Sequence, residues 1–320
     1  MAVLLSTERI IGHYVGHEPG PFIIALAGQH GNEPAGVLAL EQLFELLDIE
    51  PSINPGFSFA GEILALRGNL PALGAGERCI ERDQNRLWLD ERLSWPDGDE
   101  RLSVEDYQIR DLLKIIDIAL EESQPHEVIL IDLHTTTATG GIFAIPSQDD
   151  RSRLLAAELA VPVIRGMLEG LQGTSLHYFV NGRYGERHFL SAITFESGQH
   201  DDPLSADRAL AATLNLLRAA GCVQPADVRT THDELLREFG LRLPRHTELK
   251  YVHRVVPDDH FVMKPGYQNF DPVQEGDQLG EDRWGVVLAP ISGYILMPLY
   301  QKTGEEGFFI VAEYDPMIAY

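Results

Sequence analysis

Residues 28–36 read GQHGNEPAG, and they join two segments of different hydrophobic pattern. The apolar run 21–27 before them is typical of a buried strand, and the leucines of residues 37–47 after them recur at helical spacing. This strand–loop–helix unit places His30 and Glu33 at the carboxyl end of a strand, where open α/β sheets bind their ligands. Because residues three apart lie on the same side of a helical turn, these two side chains can converge on one point.

Imidazole and carboxylate are two of the ligand types that zinc prefers. A histidine near a strand end is nevertheless more often a hydrogen-bonded loop residue, and Glu33 also suits the positive start of a helix. A short motif match on its own therefore leaves both interpretations open. Residues further along the chain decide between them.

The composition limits the classes of partner. With 320 residues, the chain has room for two domains, and its 44% hydrophobic and 23% charged content is typical of soluble globular proteins. The formal net charge of -24 argues against a nucleic-acid-binding protein and against adhesion to anionic membranes. An anionic substrate would therefore need a local cluster of arginines.

Cys79 and Cys222 are far apart, so the sequence predicts neither a disulfide framework nor a thiolate zinc site. The first residues lack the pattern of a signal peptide, and no apolar run is long enough to span a bilayer. We therefore expect a cytoplasmic protein. The sequence leaves open whether it is a monomer or a homo-oligomer.

Strands alternate with helices up to about residue 225, which indicates an α/β fold with a mostly parallel sheet flanked by helices. From Leu249 onward, short strands separated by turn signals indicate a small all-β module. We predict an α/β domain over residues 1–228 and a β-rich domain over residues 245–320. The further predicted strands are 57–67, 127–134, 141–145 and 191–196, and the further predicted helices are 103–123, 151–160 and 202–220.

Asp132 and His134 alternate with apolar residues, so both point to the same face of a buried strand. His134 lies at the carboxyl end of that strand, at the sheet edge where His30 and Glu33 are expected. Two histidines, one glutamate and an open position for water are typical of a catalytic zinc site, with Asp132 orienting an imidazole. The alternative is that Asp132 and His134 only cap neighbouring loops.

Glu196 closes another predicted strand and could move a proton beside the metal, although a solvent-facing glutamate would give the same pattern. A long, irregular, glycine-punctuated loop is predicted over residues 68–78, and Arg78, Asn85 and Arg86 lie in this loop region. An arginine fork suits a carboxylate, and a second arginine can stabilise an oxyanion. The alternative is a solvated loop in which these arginines pair with nearby acidic residues.

Together these motifs resemble the succinylglutamate desuccinylase/aspartoacylase family, which is related to zinc carboxypeptidases. The resemblance rests on HGNE at residues 30–33, Arg78 seven residues before NR at 85–86, DLHTT at 132–136 and ESG at 196–198. It covers the chain from about residue 22 to residue 198, and the β-rich tail is similar to the family's C-terminal module.

The resemblance implies a zinc-carboxypeptidase-like mixed, mostly parallel sheet and one Zn²⁺ ion. The implied ligands are His30, Glu33 and His134. The implied roles of the other site residues are general base for Glu196, polarisation of the scissile carbonyl for Arg78, and binding of a substrate carboxylate for Asn85 and Arg86.

The implied activity is that of a zinc-dependent amidohydrolase. Its partner would be a small N-acylated amino acid with a carboxylate, such as an N-succinyl or N-acetyl derivative of glutamate or aspartate. The alternatives are a zinc carboxypeptidase acting on short peptides and a non-catalytic metal-binding regulatory protein. We expect the β-rich tail to narrow the mouth of the site.

Two details of the family pattern are not matched to single residues. A further substrate contact falls to either Arg183 or Arg187, and the spacing does not choose between them. The tyrosine that aspartoacylase contributes from its C-terminal module has no secure counterpart, since Phe308 and Phe309 occupy the nearest similar segment. The remaining histidines are interpreted as structural or surface residues, for example His177, His188, His200, His246, His253 and His260.

Overall fold

The sheet is built around the strand that the apolar run 21–27 predicts. The computed structural model describes residues 8–182, 184–229, 233–301 and 304–315. The strands are β1 Ile10–Val15, β2 Glu18–Ala27, β3 Ala60–Arg67, β4 Glu127–Thr136, β5 Phe143–Pro146, β6 Val163–Arg165, β7 Phe189–Gln199, β8 His246–Arg254, β9 Val262–Met263, β10 Pro272–Val273, β11 Gln278–Asp282, β12 Gly285–Leu288, β13 Gly293–Leu296 and β14 Glu306–Glu313. The helices are α1 Ala35–Ile53, α2 Leu70–Ala75, α3 Asp90–Leu93, α4 Val104–Ser123, α5 Asp150–Glu158, α6 Ser175–Asn181, α7 Ser205–Ala219 and α8 Asp233–Gly240.

Eleven strands form one sheet in the order β1-β3-β2-β4-β7-β5-β6-β8-β14-β13-β10. The centre, β3-β2-β4-β7, is parallel, whereas β5 runs antiparallel to β7. Three short strands form a second sheet in the order β12-β11-β9. This architecture confirms the predicted α/β class with a mixed, mostly parallel sheet and a C-terminal β-rich region.

The C-terminal strands extend the main sheet. β6 pairs in parallel with β8, and β8 pairs in turn with β14. Phe143 of β5 and Phe309 of β14 belong to the same apolar core. Hydrogen bonds of one sheet therefore run through both predicted domains. The predicted domain boundary between residues 228 and 245 stays a prediction.

Both faces of the central sheet are buried, as expected for parallel strands covered by helices. Ile23 and Ala25 of β2 pack in one core, and Phe22 and Ile24 pack in a second core on the opposite face. α1 approaches the sheet closely at Gly36, where an added Cβ would lie 2.7 Å from the Cβ of Leu133. The glycine therefore allows the helix to sit directly on the strands that carry the site.

The prediction of an irregular loop over residues 68–78 is wrong in part, because this segment contains α2. The side chain of Asn69 caps that helix by accepting a hydrogen bond from the Ala72 amide at 3.2 Å. The other predicted helices and strands form with shifted ends. Within the described ranges, none of the helices combines the length and apolar character that a bilayer crossing requires. Cys79 and Cys222 are both free thiols.

Candidate active site

Three parallel strands end at the same edge of the sheet and deliver the site residues. The register pairs Ala27 of β2 with Leu133 of β4, and it pairs His134 of β4 with Glu196 of β7. The carboxyl ends of these strands are thereby aligned side by side. The loop after β2 carries its own site residues over the same edge.

His30, Glu33 and His134 form a buried cluster at this edge. Nδ1 of His30 lies 2.8 Å from Oε1 of Glu33, and Nδ1 of His134 lies 2.9 Å from Oε2 of Glu33. One ligand atom from each residue lies within 4.8 Å of the other two. The side chains that the sequence predicts as metal ligands are therefore brought together, and their chemistry suits a divalent cation.

A carboxylate lies behind each imidazole. Nε2 of His30 is 2.9 Å from Oδ1 of Asp83, and Nε2 of His134 is 3.2 Å from Oδ2 of Asp132. Gln29 holds Asp132 in turn by donating a hydrogen bond of 2.5 Å. Such carboxylates fix the orientation of a ligating imidazole. The sequence indicates this arrangement for Asp132 but not for Asp83, which lies 53 residues from its histidine.

The cluster already stabilises positive charge. Burial raises the pKa of Glu33, but His30 and the hydrogen bonds from both imidazoles outweigh burial and hold this pKa well below its ordinary value. Burial lowers the pKa of His134, but Asp132 and Glu33 outweigh it and raise this pKa well above its ordinary value. Two nitrogens and a carboxylate in this field fit a dication that displaces a proton.

Arg78 lies directly beside the cluster. Its Nε and Nη2 donate to Oδ2 of Asp83 at 3.2 and 2.7 Å, and its Nη1 lies 3.5 Å from Oε1 of Glu33. Asp83 thus holds Arg78 and His30 at once. The loop can pack this closely because Gly31 lacks a Cβ, which would otherwise lie 2.0 Å from the Ala72 carbonyl.

Asn85 and Arg86 follow in a short 3₁₀ turn, Gln84–Arg86. The side-chain nitrogen Nδ2 of Asn85 lies 3.4 Å from Nε2 of His134. Arg86 donates from Nη2 to Oε2 of Glu306 at 2.7 Å, and Arg254 donates to the other oxygen of Glu306 at 2.7 Å. No sequence motif indicates Glu306 as the partner of Arg86, because the two residues are 220 positions apart.

Glu196 faces the same cleft from β7. Its Oε2 is buried and has no hydrogen-bond partner in the part of the chain that the structure describes. Burial raises the pKa of Glu196 to about 8, with repulsion from Glu33 adding to burial and His134 opposing it. This carboxyl group is therefore free to bind and release a proton.

His200, interpreted above as a structural or surface histidine, lines the cleft. Its Nδ1 lies 2.7 Å from the hydroxyl of Thr135, and within the described ranges its buried Nε2 has no partner. Burial lowers the pKa of His200, which keeps the imidazole neutral at neutral pH. Its position four residues after Glu196, where β7 ends, is the signal that could have identified it.

The cleft encloses about 860 Å³ including its open mouth. Its lining combines the polar residues described above with apolar side chains. The C-terminal region contributes both polar and apolar residues to it, namely Met297, Leu299, Gln301, Gly304, Glu306 and Phe309.

Of the two candidates for a further substrate contact, Arg183 lies outside the described residues. Arg187 does not line the cleft, and it borders a separate surface hollow together with Asp117 and Tyr184. It lies two residues before Phe189, the first residue of β7, and Glu196 lies seven residues after Phe189, a span of about 23 Å at 3.3 Å per residue. Arg187 therefore lies near the amino-terminal end of β7, away from the cleft, and the structure does not support it as the substrate contact.

Similar proteins share both the sequence pattern and the architecture. A sequence model described as the succinylglutamate desuccinylase/aspartoacylase catalytic domain matches residues 19–219. A probable aspartoacylase from Nostoc sp. is 30% identical over 128 residues, and this match spans 40% of each protein. The chain thus aligns with about two fifths of that relative's length.

Solved structures extend the likeness of fold to nearly the whole chain. The crystal structure of succinylglutamate desuccinylase from Vibrio cholerae has a TM-score of 0.62 and 20% identity, and it covers 93% of this chain and 84% of that one. Murine aminoacylase 3 has a TM-score of 0.57 and 19% identity, with coverage of 92% and 96%. Because the sequence model matches more than half of the chain, the protein belongs to the succinylglutamate desuccinylase/aspartoacylase family.

Proposed function

We propose that this protein is a zinc-dependent amidohydrolase that removes the acyl group from a small N-acylated amino acid. One observation carries the proposal: Glu196, whose buried Oε2 has no hydrogen-bond partner among the described residues, lines the same cleft as the cluster of His30, Glu33 and His134. Family membership supports it, since the relatives are named for aspartoacylase, succinylglutamate desuccinylase and aminoacylase activities.

His30, Glu33 and His134 would hold the metal, with Asp83 and Asp132 orienting the two imidazoles. Zn²⁺ bound there lowers the pKa of a water molecule and polarises a carbonyl group. The fit rests on the donor set itself, which offers one carboxylate and two imidazoles from separate parts of the chain.

Glu196 is the proposed general base. Its Oε2 accepts a proton from the attacking water and later delivers that proton to the nitrogen of the leaving amino acid. In the chain itself the pKa of Glu196 is about 8, so the carboxyl group is mostly protonated at neutral pH. The pKa would fall when a dication occupies the neighbouring site, because opposite charge favours the ionised form, and the carboxylate could then accept a proton.

Arg78 is proposed to stabilise negative charge on the carbonyl oxygen during hydrolysis. Asp83 fixes its guanidinium group through two hydrogen bonds, so little ordering is needed when charge develops. Asn85 and Arg86 are proposed to hold the substrate carboxylate at the cleft wall. Holding the substrate at one end orients its amide for attack, which makes the reaction effectively intramolecular.

Residues 245–320 are proposed to act as a wall that limits substrate length. Met297, Leu299 and Phe309 of this region line the cleft, and under the proposal a longer peptide would meet them. Under this proposal residues 1–228 carry the chemistry, and the C-terminal region selects the substrate.

The test uses purified full-length protein loaded with one equivalent of zinc. We expect hydrolysis of N-acetyl amino acids, and we expect at least about tenfold lower kcat/KM for unblocked dipeptides and tripeptides. Faster cleavage of the peptides would favour a carboxypeptidase. Zinc binding without hydrolysis of either class would favour a non-catalytic metal-binding protein and would overturn the proposal.

A further inference from the structure

The cations that line the cleft already have carboxylate partners. Arg78 pairs with Asp83 at 2.7 Å, and Arg86 pairs with Glu306 at 2.7 Å. Among the described residues of this lining, these are the two arginines, and lysine is absent. The lining also includes the carboxyl groups of Glu33 and Glu196. Arg86 is proposed above to bind one substrate carboxylate, and Arg78 to stabilise the carbonyl oxygen. The described lining, which omits residues 302 and 303 between Gln301 and Gly304, therefore offers no further arginine or lysine to a second carboxylate of a substrate.

Part of the cleft lining is apolar, and we call this part the apolar wall. It is formed by side chains from β5, from the 3₁₀ turn Met167–Gly170 and the residue after it, and from the C-terminal region. These side chains are Ile145, Leu168, Leu171, Met297, Leu299 and Phe309. Ile145 and Phe309 also belong to one apolar core, with 4% and 2% exposure. Leu171 and Met297 pack against that core, so most of the apolar wall is continuous with it.

An ionised group pressed against such a wall would lose its water without gaining a partner. An apolar group in the same place would instead remove apolar surface from water on both sides. One carboxylate can be held at Asn85 and Arg86, and an apolar group of the substrate can pack on the apolar wall. The described lining therefore suits a substrate with one charged group and one apolar group.

We propose that the preferred substrate is an N-acyl amino acid with a single carboxylate and an apolar substituent that packs on this wall. The proposal rests on the hydrolase function proposed above, and it departs from the N-acylglutamate or N-acylaspartate expected from the sequence. The apolar substituent belongs either to the amino-acid side chain or to the acyl chain. Both sources present the same chemistry to Ile145, Leu168 and Phe309.

Two matched substrate pairs test the proposal on the zinc-loaded full chain. In the first, N-acetyl-L-leucine is compared with N-acetyl-L-aspartate, whose side chain has a similar shape but carries a charge. In the second, N-(4-methylpentanoyl)glycine is compared with N-succinylglycine. We expect kcat/KM to be at least about tenfold higher for the apolar member of one pair, and no preference for the acidic member of the other. The pair that responds identifies the source of the apolar group.

The outcomes separate this inference from the proposed function. Hydrolysis with equal kcat/KM within both pairs, or with a preference for the acidic member in either pair, overturns the inference and leaves the hydrolase proposal standing. Hydrolysis of none of the four compounds overturns both.

A second test changes the wall itself. Leu171 and Met297 are only partly buried, so Leu171→Arg and, separately, Met297→Lys add a cation at a position that tolerates substitution. We expect either variant to shift the ratio of kcat/KM toward the acidic substrates by at least about tenfold. Leu154→Arg adds the same charge on exposed α5, outside the cleft, and serves as the matched control. Unchanged ratios in both folded wall variants would overturn the proposal.

Discussion

Glu306 lies 2.7 Å from Arg86, although 220 residues separate them in the sequence. Glu306 is only 8% exposed, and its second oxygen accepts a hydrogen bond from Arg254. The C-terminal region thus sets the charge next to an arginine that is proposed to bind substrate. Its carboxylate makes the cleft more negative than the sequence motifs alone indicate.

Replacement of Glu306 tests this electrostatic role. Glu306→Gln leaves Arg86 without its charged partner and makes the cleft less negative, so we expect the kcat/KM ratio of N-acetyl-L-aspartate to N-acetyl-L-leucine to rise. We also expect a loss of about 1–3 kcal/mol in the free energy of unfolding, because a buried hydrogen-bonded charge pair is broken. Denaturant titration and steady-state kinetics measure the two effects. Exposed Glu305→Gln is the control, and an unchanged ratio in Glu306→Gln would contradict the role.

Replacement of Glu196 tests the general base. Glu196→Gln keeps the shape of the side chain but cannot carry a proton, so we expect kcat to fall by about 10²–10⁴. Zinc content and the melting temperature should stay near those of the unchanged protein, since Glu196 is not one of the predicted metal ligands. Metal analysis and single-substrate kinetics on the same preparation provide the check. Turnover close to that of the unchanged protein would remove Glu196 from the mechanism.

Replacement of Arg86 tests the carboxylate-binding role. Arg86→Lys keeps the charge but loses the planar fork, so we expect KM for an N-acetyl amino acid to rise while kcat changes less. Arg82→Lys is the matched control, because Arg82 is exposed in the same region of the chain. Equal KM values for the two variants would show that Arg86 does not bind the carboxylate.

Replacement of Asp83 tests whether the carboxylate behind His30 supports metal binding. Asp83→Asn removes the charge that both His30 and Arg78 contact, so we expect zinc affinity to fall by about 10- to 100-fold. A competition titration with a chromophoric chelator measures this affinity without any assay of activity. Glu77→Gln, at an exposed position of the same loop, should leave the affinity unchanged. Full affinity in Asp83→Asn would contradict the arrangement.

The free energy of unfolding at acidic pH should depend on Asp149. Its carboxylate caps α5 by accepting hydrogen bonds from the backbone amide and the hydroxyl of Ser152, at 2.7 and 2.6 Å. Burial raises the pKa of Asp149, but these bonds and one from Ser147 outweigh it and lower the pKa. The unfolded chain then binds more protons near pH 4, so this stabilisation is complete above about pH 5 and is lost as pH falls through the pKa of the folded state. We expect Asp149→Ala to cost about 0.5–2 kcal/mol at pH 7 and to reduce the loss of stability below pH 4. Urea titrations across pH measure both, and Asp150→Ala, which removes an exposed carboxylate, should change neither.

The sequence predicts the residues at the strand ends because each signal is local. An apolar run followed by His30 and Glu33, and the alternation that puts Asp132 and His134 on one face, follow from strand geometry alone. The register of the parallel strands then brings these segments to one edge. Sequence periodicity is sufficient here because parallel strands connected by helices leave few other arrangements.

The features that the sequence did not indicate depend on contacts between residues far apart in the chain, or depart from what the local composition predicts. Glu306 meets Arg86 only through the pairing of β14 with β8. Asp83 lies among other acidic residues of its loop, and nothing in that pattern marks it as the partner of His30. α2 forms in a glycine-rich segment because Asn69 caps it, so a local hydrogen bond outweighs the composition.

The hydrogen bonds between β6 and β8 join the C-terminal region to the sheet that carries the candidate site residues. Exchange of this tail between relatives would therefore have to preserve strand register as well as the identity of the lining side chains. Mutations that weaken the pairing of β6 with β8 would therefore alter thermal stability and substrate preference together. Selection for a new substrate in this architecture thus acts on folding and on recognition at the same positions.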